Sequence, residues 1–207
     1  MKNYTNNELE KILDMHKEWV KKGKGEIADL SNVDMSNVDL SNTNLHNVDL
    51  NNSDLNNSDL RNADLSNTNL SSTNLHNTNL SNTNLNNAYL CNADLSNAYL
   101  SNAYLINADL SNADLRNADL RNADLHNVDL HNTIGNGKEV KTLLCFEPYI
   151  INYTAENLQI GCKNYPIKDW WGFTNKEILE MDGKIALGFW NNYKSILMKI
   201  IELSPAT

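Results

Sequence analysis

The chain has 207 residues, enough for one sizeable domain or for one domain with a small appendage. Its 26 acidic and 17 basic side chains leave a formal charge of −9, which opposes nonspecific binding to nucleic acid, since that needs a basic surface to displace counterions. Cys91, Cys145 and Cys162 make an odd count without C-x-x-C spacing, which excludes a disulfide framework and a zinc site and fits a reducing compartment.

Residues 1–7, Met-Lys-Asn-Tyr-Thr-Asn-Asn, are too polar for the apolar stretch of a signal peptide. No apolar run in the chain approaches the ~20 residues needed to span a bilayer. A cytoplasmic location is therefore expected. Thr5 and Glu8 form the ends of a capping box that opens a helix. Leu9, Ile12, Leu13, His16, Trp19 and Val20 then make one apolar stripe, and Gly23 stops it. His16 is read as a helix packing residue rather than a catalytic group. Residues 1–26 are expected to form an N-terminal capping helix.

From Leu30 to Leu130 the chain repeats every five residues without a slip, and all twenty-one central positions are Leu except Met35. Two residues before each stands Ala, Val, Thr or Ser; just before it comes Asp, Asn or Tyr; two after it comes Asn, with Ser72 the exception. Five suits neither regular element. On an α-helix a step of five turns the side chain by ~140°, so the leucines would spiral over every face. On a flat strand an odd period throws successive leucines to opposite sides. A chain that bends once per repeat points every Leu, and every residue two before it, toward a shared axis. The Asn-rich positions then sit at corners, where their side chains bond nearby backbone and tolerate turn conformations. Stacked coils of this kind satisfy one another's backbone groups.

The Ala-Asp-Leu and Thr-Asn-Leu triplets at this spacing closely resemble the pentapeptide-repeat family. The resemblance covers about half of the chain (residues 27–133). It implies an all-β solenoid, a right-handed quadrilateral β-helix with four repeats per coil. A block of four Thr-based repeats, at Thr68, Thr73, Thr78 and Thr83, is in keeping with that number. The stretch 13–20, running on through Gly23 to Ala28, is similar to the lead-in helix of many members, where it caps the first coil.

After Thr133 the period breaks, and residues 134–207 read as a small α+β C-terminal domain, acting as cap or interaction unit. Strand-like runs at 140–146, 149–154 and 158–162 suit an antiparallel meander. Thr174 and Glu177 form a second capping box, for a short helix that ends near Asp182 and Gly183. A last helix carries Ile185, Phe189, Trp190, Tyr193, Ile196, Leu197, Ile200 and Ile201 on a wide stripe. Part of that stripe is expected to serve as a homodimer contact.

Chemistry is sparse. No phosphate-binding glycine loop, nucleophile elbow or H-E-x-x-H is present. His46 and His126 share a face but lie four coils apart, ~19 Å by strand spacing, too far to share a metal. The carboxylates point outward from a convex rod, with no concavity to shift their pKa. No catalytic residue, metal or cofactor is expected. The outer surface varies by region: residues 27–133 hold thirteen Asp against three Arg, a net of −10, yet no acid lies between Asp64 and Asp94. Outward Tyr89, Tyr99, Tyr104 and Ile106 form a candidate partner surface.

A non-enzymatic protein-binding scaffold or regulatory module follows, with a protein partner and neither direct nucleic-acid nor membrane binding. The alternative is a DNA mimic that binds a type II topoisomerase such as gyrase, as the family resemblance implies for some members. Asp54, Asp59, Asp114 and Asp119 would be its acidic face. Duplex DNA carries one charge per ~1.7 Å, so a rod of roughly 25 Å would match about fifteen charges. Against it stand the neutral middle coils and the lack of projecting loops.

Overall fold

A computed structural model describes residues 1–143 and 146–207 of the chain. From Asp29 on, the residue before each leucine makes a parallel bridge to the residue twenty positions further, Asp29 to Asp49 and so on to Asp114 with Ile134. Four repeats therefore make one coil, and the stacked coils form a β-helix solenoid.

The corners explain the repeat. All twenty-one residues two after the central position have φ between 55° and 65°, Ser72 included. That left-handed region costs most L-residues about 1–2 kcal/mol, and Asn tolerates it because its short amide bonds locally. The residue before each leucine supports the same corner. Its side-chain oxygen accepts the amide N–H two residues on, as Asp29 does from Ser31 at 3.0 Å, Asp54 from Asn56 at 2.9 Å and Asn84 from Asn86 at 3.2 Å.

Inside, Met35 and every repeat leucine except Leu125 are buried. The residues two before them share this core where they are small. Thr68, Thr73, Thr78 and Thr83 are buried as well, and each hydroxyl donates to the carbonyl of Leu45, Leu50, Leu55 or Leu60 in the preceding coil, at 2.8–3.0 Å. A hydroxyl in a dry core is tolerable only when bonded in this way.

Both ends of the stack carry covering segments, the second over only part of its coil. Strand β1 (Lys2–Asn3) pairs in parallel with β2 (Val33–Asp34), so two polar residues stand where a preceding coil would run. Helix α1 (Asn6–Lys22) follows, opened by the Thr5–Glu8 capping box and ended by Gly23 at φ 64°. Leu9 and His16 are buried, and Ile12 and Leu13 pack on the coil core. Val20, expected in the apolar stripe, is instead exposed, near the C-terminal end of the helix.

At the other end lies a four-stranded antiparallel sheet in the order β3 (Lys141–Leu143), β4 (Ile151–Tyr153), β5 (Asn157–Ile160), β6 (Lys163–Pro166). The expected run 140–146 falls partly on Leu144 and Cys145, which lie outside the described residues. Strand β6 was not anticipated, since Lys-Asn-Tyr-Pro has no apolar alternation; it is an edge strand, where a terminal proline is acceptable. Thr142, Asn152, Gln159 and Asn164 stand in one cross-strand row. Within the rod, Leu110 N–H donates to Asp129 O, Asp129 N–H to Ala108 O, and the Thr133 hydroxyl to Leu110 O. One coil later the row supplies these partners from side chains. Leu130 N–H donates to Gln159 Oε1 at 2.6 Å, Asn164 Nδ2 donates to Val128 O at 2.7 Å, and Asn152 Nδ2 donates to Leu130 O. Three amides thus take the place of the missing strand on that face.

Helices α2 (Ile167–Gly172) and α3 (Asn175–Leu203) pack on the sheet around a second core that includes Tyr153, Trp170, Phe189, Trp190 and Leu197. The second capping box, Thr174 with Glu177, opens α3, which breaks at Asp182 and Gly183. Ile185 and Ile196, expected in the buried stripe, are exposed at 61% and 48%. The buried face after the break is centred on Phe189, Trp190 and Leu197, and these two isoleucines fall at its margin, just beyond Phe189.

Two outcomes test this account of the rod. Leu75→Ala should cost about 2–5 kcal/mol in denaturant unfolding, as for a buried leucine whose site cannot collapse, while Leu125→Ala at the half-open last coil should cost clearly less; equal losses would contradict a common dry axis. Ser72→Asn should raise the melting temperature, worth up to about 1 kcal/mol, because it replaces the one corner residue poorly suited to positive φ.

Candidate interaction surfaces

The coil register sorts the outward residues into four columns along the rod. One runs Asp29, Asp49, Asn69, Tyr89, Asp109, Asp129. The next holds Asp34, Asp54, Asn74, Asp94, Asp114, Ile134; the third, Asp39, Asp59, Asn79, Tyr99, Asp119; the fourth, Asn44, Asp64, Asn84, Tyr104, Asp124. Neighbours in a column are one strand spacing apart, ~4.8 Å, so stacked carboxylates repel. The asparagine belt relieves this from above: Asn69, Asn74 and Asn84 each donate from Nδ2 to Asp49, Asp54 and Asp64 at 3.0–3.1 Å. In the third column Asp59 is taken by Arg61 instead.

Directly above that belt stand the tyrosines. Tyr89, Tyr99 and Tyr104 are 55%, 53% and 53% exposed, all in one coil and in three different columns. Tyr89 and Tyr99 lie two columns apart, with Tyr104 in the column beyond Tyr99. The half-buried Ile106 sits at the corner after Tyr104, its N–H donating to Asn86 Oδ1 at 2.9 Å. The structure thus brings Tyr104 and Ile106 together and separates Tyr89 from Tyr99.

The four aspartates of the acidic face fall in two adjacent columns, Asp54 above Asp34 and below Asn74, Asp114 above Asp94, and Asp59 and Asp119 beside them. Three carry their own counter-ion. Arg61 pairs with Asp59, Arg116 with Asp114 at 2.5 Å and Arg121 with Asp119 at 2.7 Å. The hydrogen bond from each guanidinium holds the carboxyl below its ordinary range. The Asp54 side chain accepts from Asn56 N–H and from Asn74 Nδ2. Even without arginine, these oxygens are engaged in corner hydrogen bonds, as where the Ser31 hydroxyl and amide hold Asp29 below the usual carboxylate range.

The sequence carried no signal for a contact that ties rod to sheet. His126 Nδ1 lies 2.5 Å from Asp124 Oδ1, and its Nε2 lies 3.0 Å from Glu156 Oε2. Thirty residues separate His126 from Glu156, and only the break in the five-residue period at Thr133 hinted that the last coil needed outside partners. His16 is buried beside Trp19, with ring centroids 5.6 Å apart, and burial lowers its pKa. Among the described residues no three His, Cys, Asp or Glu side chains gather to hold an ion, and no helix is long and apolar enough to cross a membrane.

Residues 28–57, 58–97 and 98–134 match the family model for pentapeptide repeats, in eight copies. Among solved structures, the pentapeptide repeat protein Rfr23 from the cyanobacterium Cyanothece 51142 is similar, with 26% identity, a TM-score of 0.52, and coverage of 59% of this chain and 97% of that one. The pentapeptide repeat protein alr5209 from Nostoc Pcc 7120 shares 35% identity over 42% of this chain and 73% of its own, with a TM-score of 0.27. QnrB1, a plasmid-mediated fluoroquinolone resistance protein, shares 21% identity over 52% of this chain and 68% of its own, with a TM-score of 0.22. No curated protein matches the chain.

The hydrogen bond and charge of Asp124, and then the charge of Glu156, raise the His126 pKa above its ordinary 6.5. A group with a raised folded pKa contributes stability that is fully present below its unfolded value and is lost as pH rises through the folded value. The His126 link should therefore be in place below pH 6.5 and fade above it. In an NMR titration the His126 ring should titrate above 6.5, and Asp124→Asn should bring it down; a wild-type midpoint at or below 6.5 would contradict the clamp.

Proposed function

We propose, since the chain belongs to the pentapeptide-repeat family, that it is a non-enzymatic protein-binding scaffold acting in the cytoplasm. A right-handed quadrilateral rod (27–133) carries the recognition surface, and the unit 134–207 closes its end. One observation supports this most. The position before each leucine holds a corner acceptor, Asp or Asn, in every repeat but three, and those three are Tyr89, Tyr99 and Tyr104. A phenol side chain cannot accept the corner amide in that way, so the coil gives up a local hydrogen bond and displays aromatic surface instead. Exposed tyrosine suits a protein contact, because it adds large, rigid, amphipathic area.

The C-terminal unit adds a self-contact. Ile185, Ile196 and Leu203 are all exposed on α3, and at 100° per residue they lie within about 20° of one another around the helix. Such a stripe suits the matching stripe of a second copy.

A DNA mimic has less in its favour. Three of its four aspartates are arginine-paired, an asparagine belt divides the columns, and the likeness to QnrB1 concerns the fold alone. Absence of any effect on gyrase supercoiling at high protein concentration would remove it.

For the scaffold, a partner retained by the immobilised full-length chain should be lost on Tyr99→Ala with Tyr104→Ala, both exposed and outside the core. Undiminished capture by a correctly folded double variant would refute the tyrosine coil as the recognition surface. Sedimentation velocity should show Ile196→Glu shifting the chain toward monomer.

A further inference from the structure

The final coil is finished unevenly. At 113–115 the Ile134 main chain provides both bonds of the next strand, accepting from Leu115 N–H at 2.8 Å and donating to Ala113 O at 3.0 Å. At 128–130 the amides of Gln159, Asn164 and Asn152 do so. At 118–120 Asn136 Nδ2 donates to Ala118 O at 3.1 Å, and Leu120 N–H has no partner among the described residues. At 123–125 neither Leu125 N–H nor Ala123 O has one. One coil earlier the same positions are paired, Leu105 N–H with Asp124 O and Ala103 O with Asp124 N–H, both at 2.9 Å. Leu125 is also the one repeat leucine that is not buried.

A groove of about 450 Å3 lies over this gap. Leu120, Ala123 and Leu125 line it on the rod side, Glu139, the 154–157 loop and Thr207 on the other. Its charged side chains are Asp124, Glu139 and Glu156, against the single imidazole of His126.

We propose that this slot receives an extended, basic segment of a partner protein, laid as the next parallel strand of the solenoid. One residue of the segment accepts from Leu125 N–H and donates to Ala123 O, as Asp124 does for the coil below. An apolar side chain covers Leu125, and a flanking Lys or Arg faces Glu139 and Glu156. A free donor and a free acceptor on one coil edge call for a peptide main chain, and the acidic lining of Asp124, Glu139 and Glu156 calls for a basic one. This rests on the scaffold reading above and adds a second contact to it, away from the tyrosine coil.

The test uses the full chain and a fluorescein-labelled Val-Lys-Val-Lys-Val-Lys peptide, followed by anisotropy. Three controls accompany it: the same peptide N-methylated at alternate amides, its Val-Glu counterpart, and the variant Ala155→Arg, which puts a bulky cation into the groove from an exposed loop position. The Lys peptide should bind saturably and protect the Leu125 amide from hydrogen exchange. N-methylation should weaken it by about tenfold, the loss of the main-chain donation to Ala123 O. Ala155→Arg should weaken it at least as much without lowering the melting temperature, and the Glu peptide should not bind. Equal binding of the N-methylated peptide would reduce the effect to charge attraction, and binding undiminished in Ala155→Arg would place the peptide elsewhere on the chain; either result overturns the slot. No binding at all would also overturn it, while leaving capture through Tyr99 and Tyr104 as a separate result. Concentration-dependent oligomers abolished by Ala155→Arg would assign the slot to a second copy instead.

Discussion

A five-residue repeat can bury all its leucines only if the backbone reverses its course once in every repeat, and that demand falls on a single torsion. The residue two after each leucine must sit at positive φ. Asparagine accepts this geometry at low cost, and the Asp or Asn before the leucine locks the corner by accepting the amide two residues on. Once the corner is set twenty-one times in phase, four repeats bring the chain back over itself. The main-chain ladder, the leucine column and the threonine-to-carbonyl bonds between coils all follow from that closure. The outward aspartates are in the first place parts of the corner, so their abundance is weak evidence for a mimicry of nucleic acid.

A solenoid built this way has no natural end, since each coil supplies the hydrogen-bond partners of the one before it. The chain deals with its two ends differently. At the first coil, β1 and α1 lie across the edge, one with main-chain bonds and the other with an apolar face. At the last coil, a row of side-chain amides on a foreign sheet imitates the missing strand on one face, and Ile134 continues the ladder on another. What this patchwork leaves open is as informative as what it closes, because an interior coil has no use for a half-exposed leucine or a vacant amide.

Surface features gain meaning only after the demands of the fold are subtracted. Arginines at 61, 116 and 121 neutralise neighbouring aspartates within their own repeats; exposed pairs of this sort add little stability, but they break up a continuous acidic track. The three tyrosines are different, since nothing in the corner calls for them. They occupy the coil above the asparagine belt, where the columns are least charged.

Period, corner residue and leucine spacing are local and repeat many times, so the solenoid, its core residues, the N-terminal helix and both capping boxes could be read from the order of the amino acids alone. Each depends on neighbours no more than a few residues away, and each error in one repeat is outvoted by the rest. Other features joined residues far apart and occurred once. The strand at Lys2 and Asn3, the polar edge strand β6, the Gln159–Asn164–Asn152 row and the His126–Glu156 clamp carry no period and no apolar pattern. Ile185 and Ile196 looked like core because helix periodicity marks an apolar stripe without saying how much of its width is covered. Only the folded chain decided which polar groups would complete an unfinished coil, because that depends on how a non-repeating segment lands on the rod.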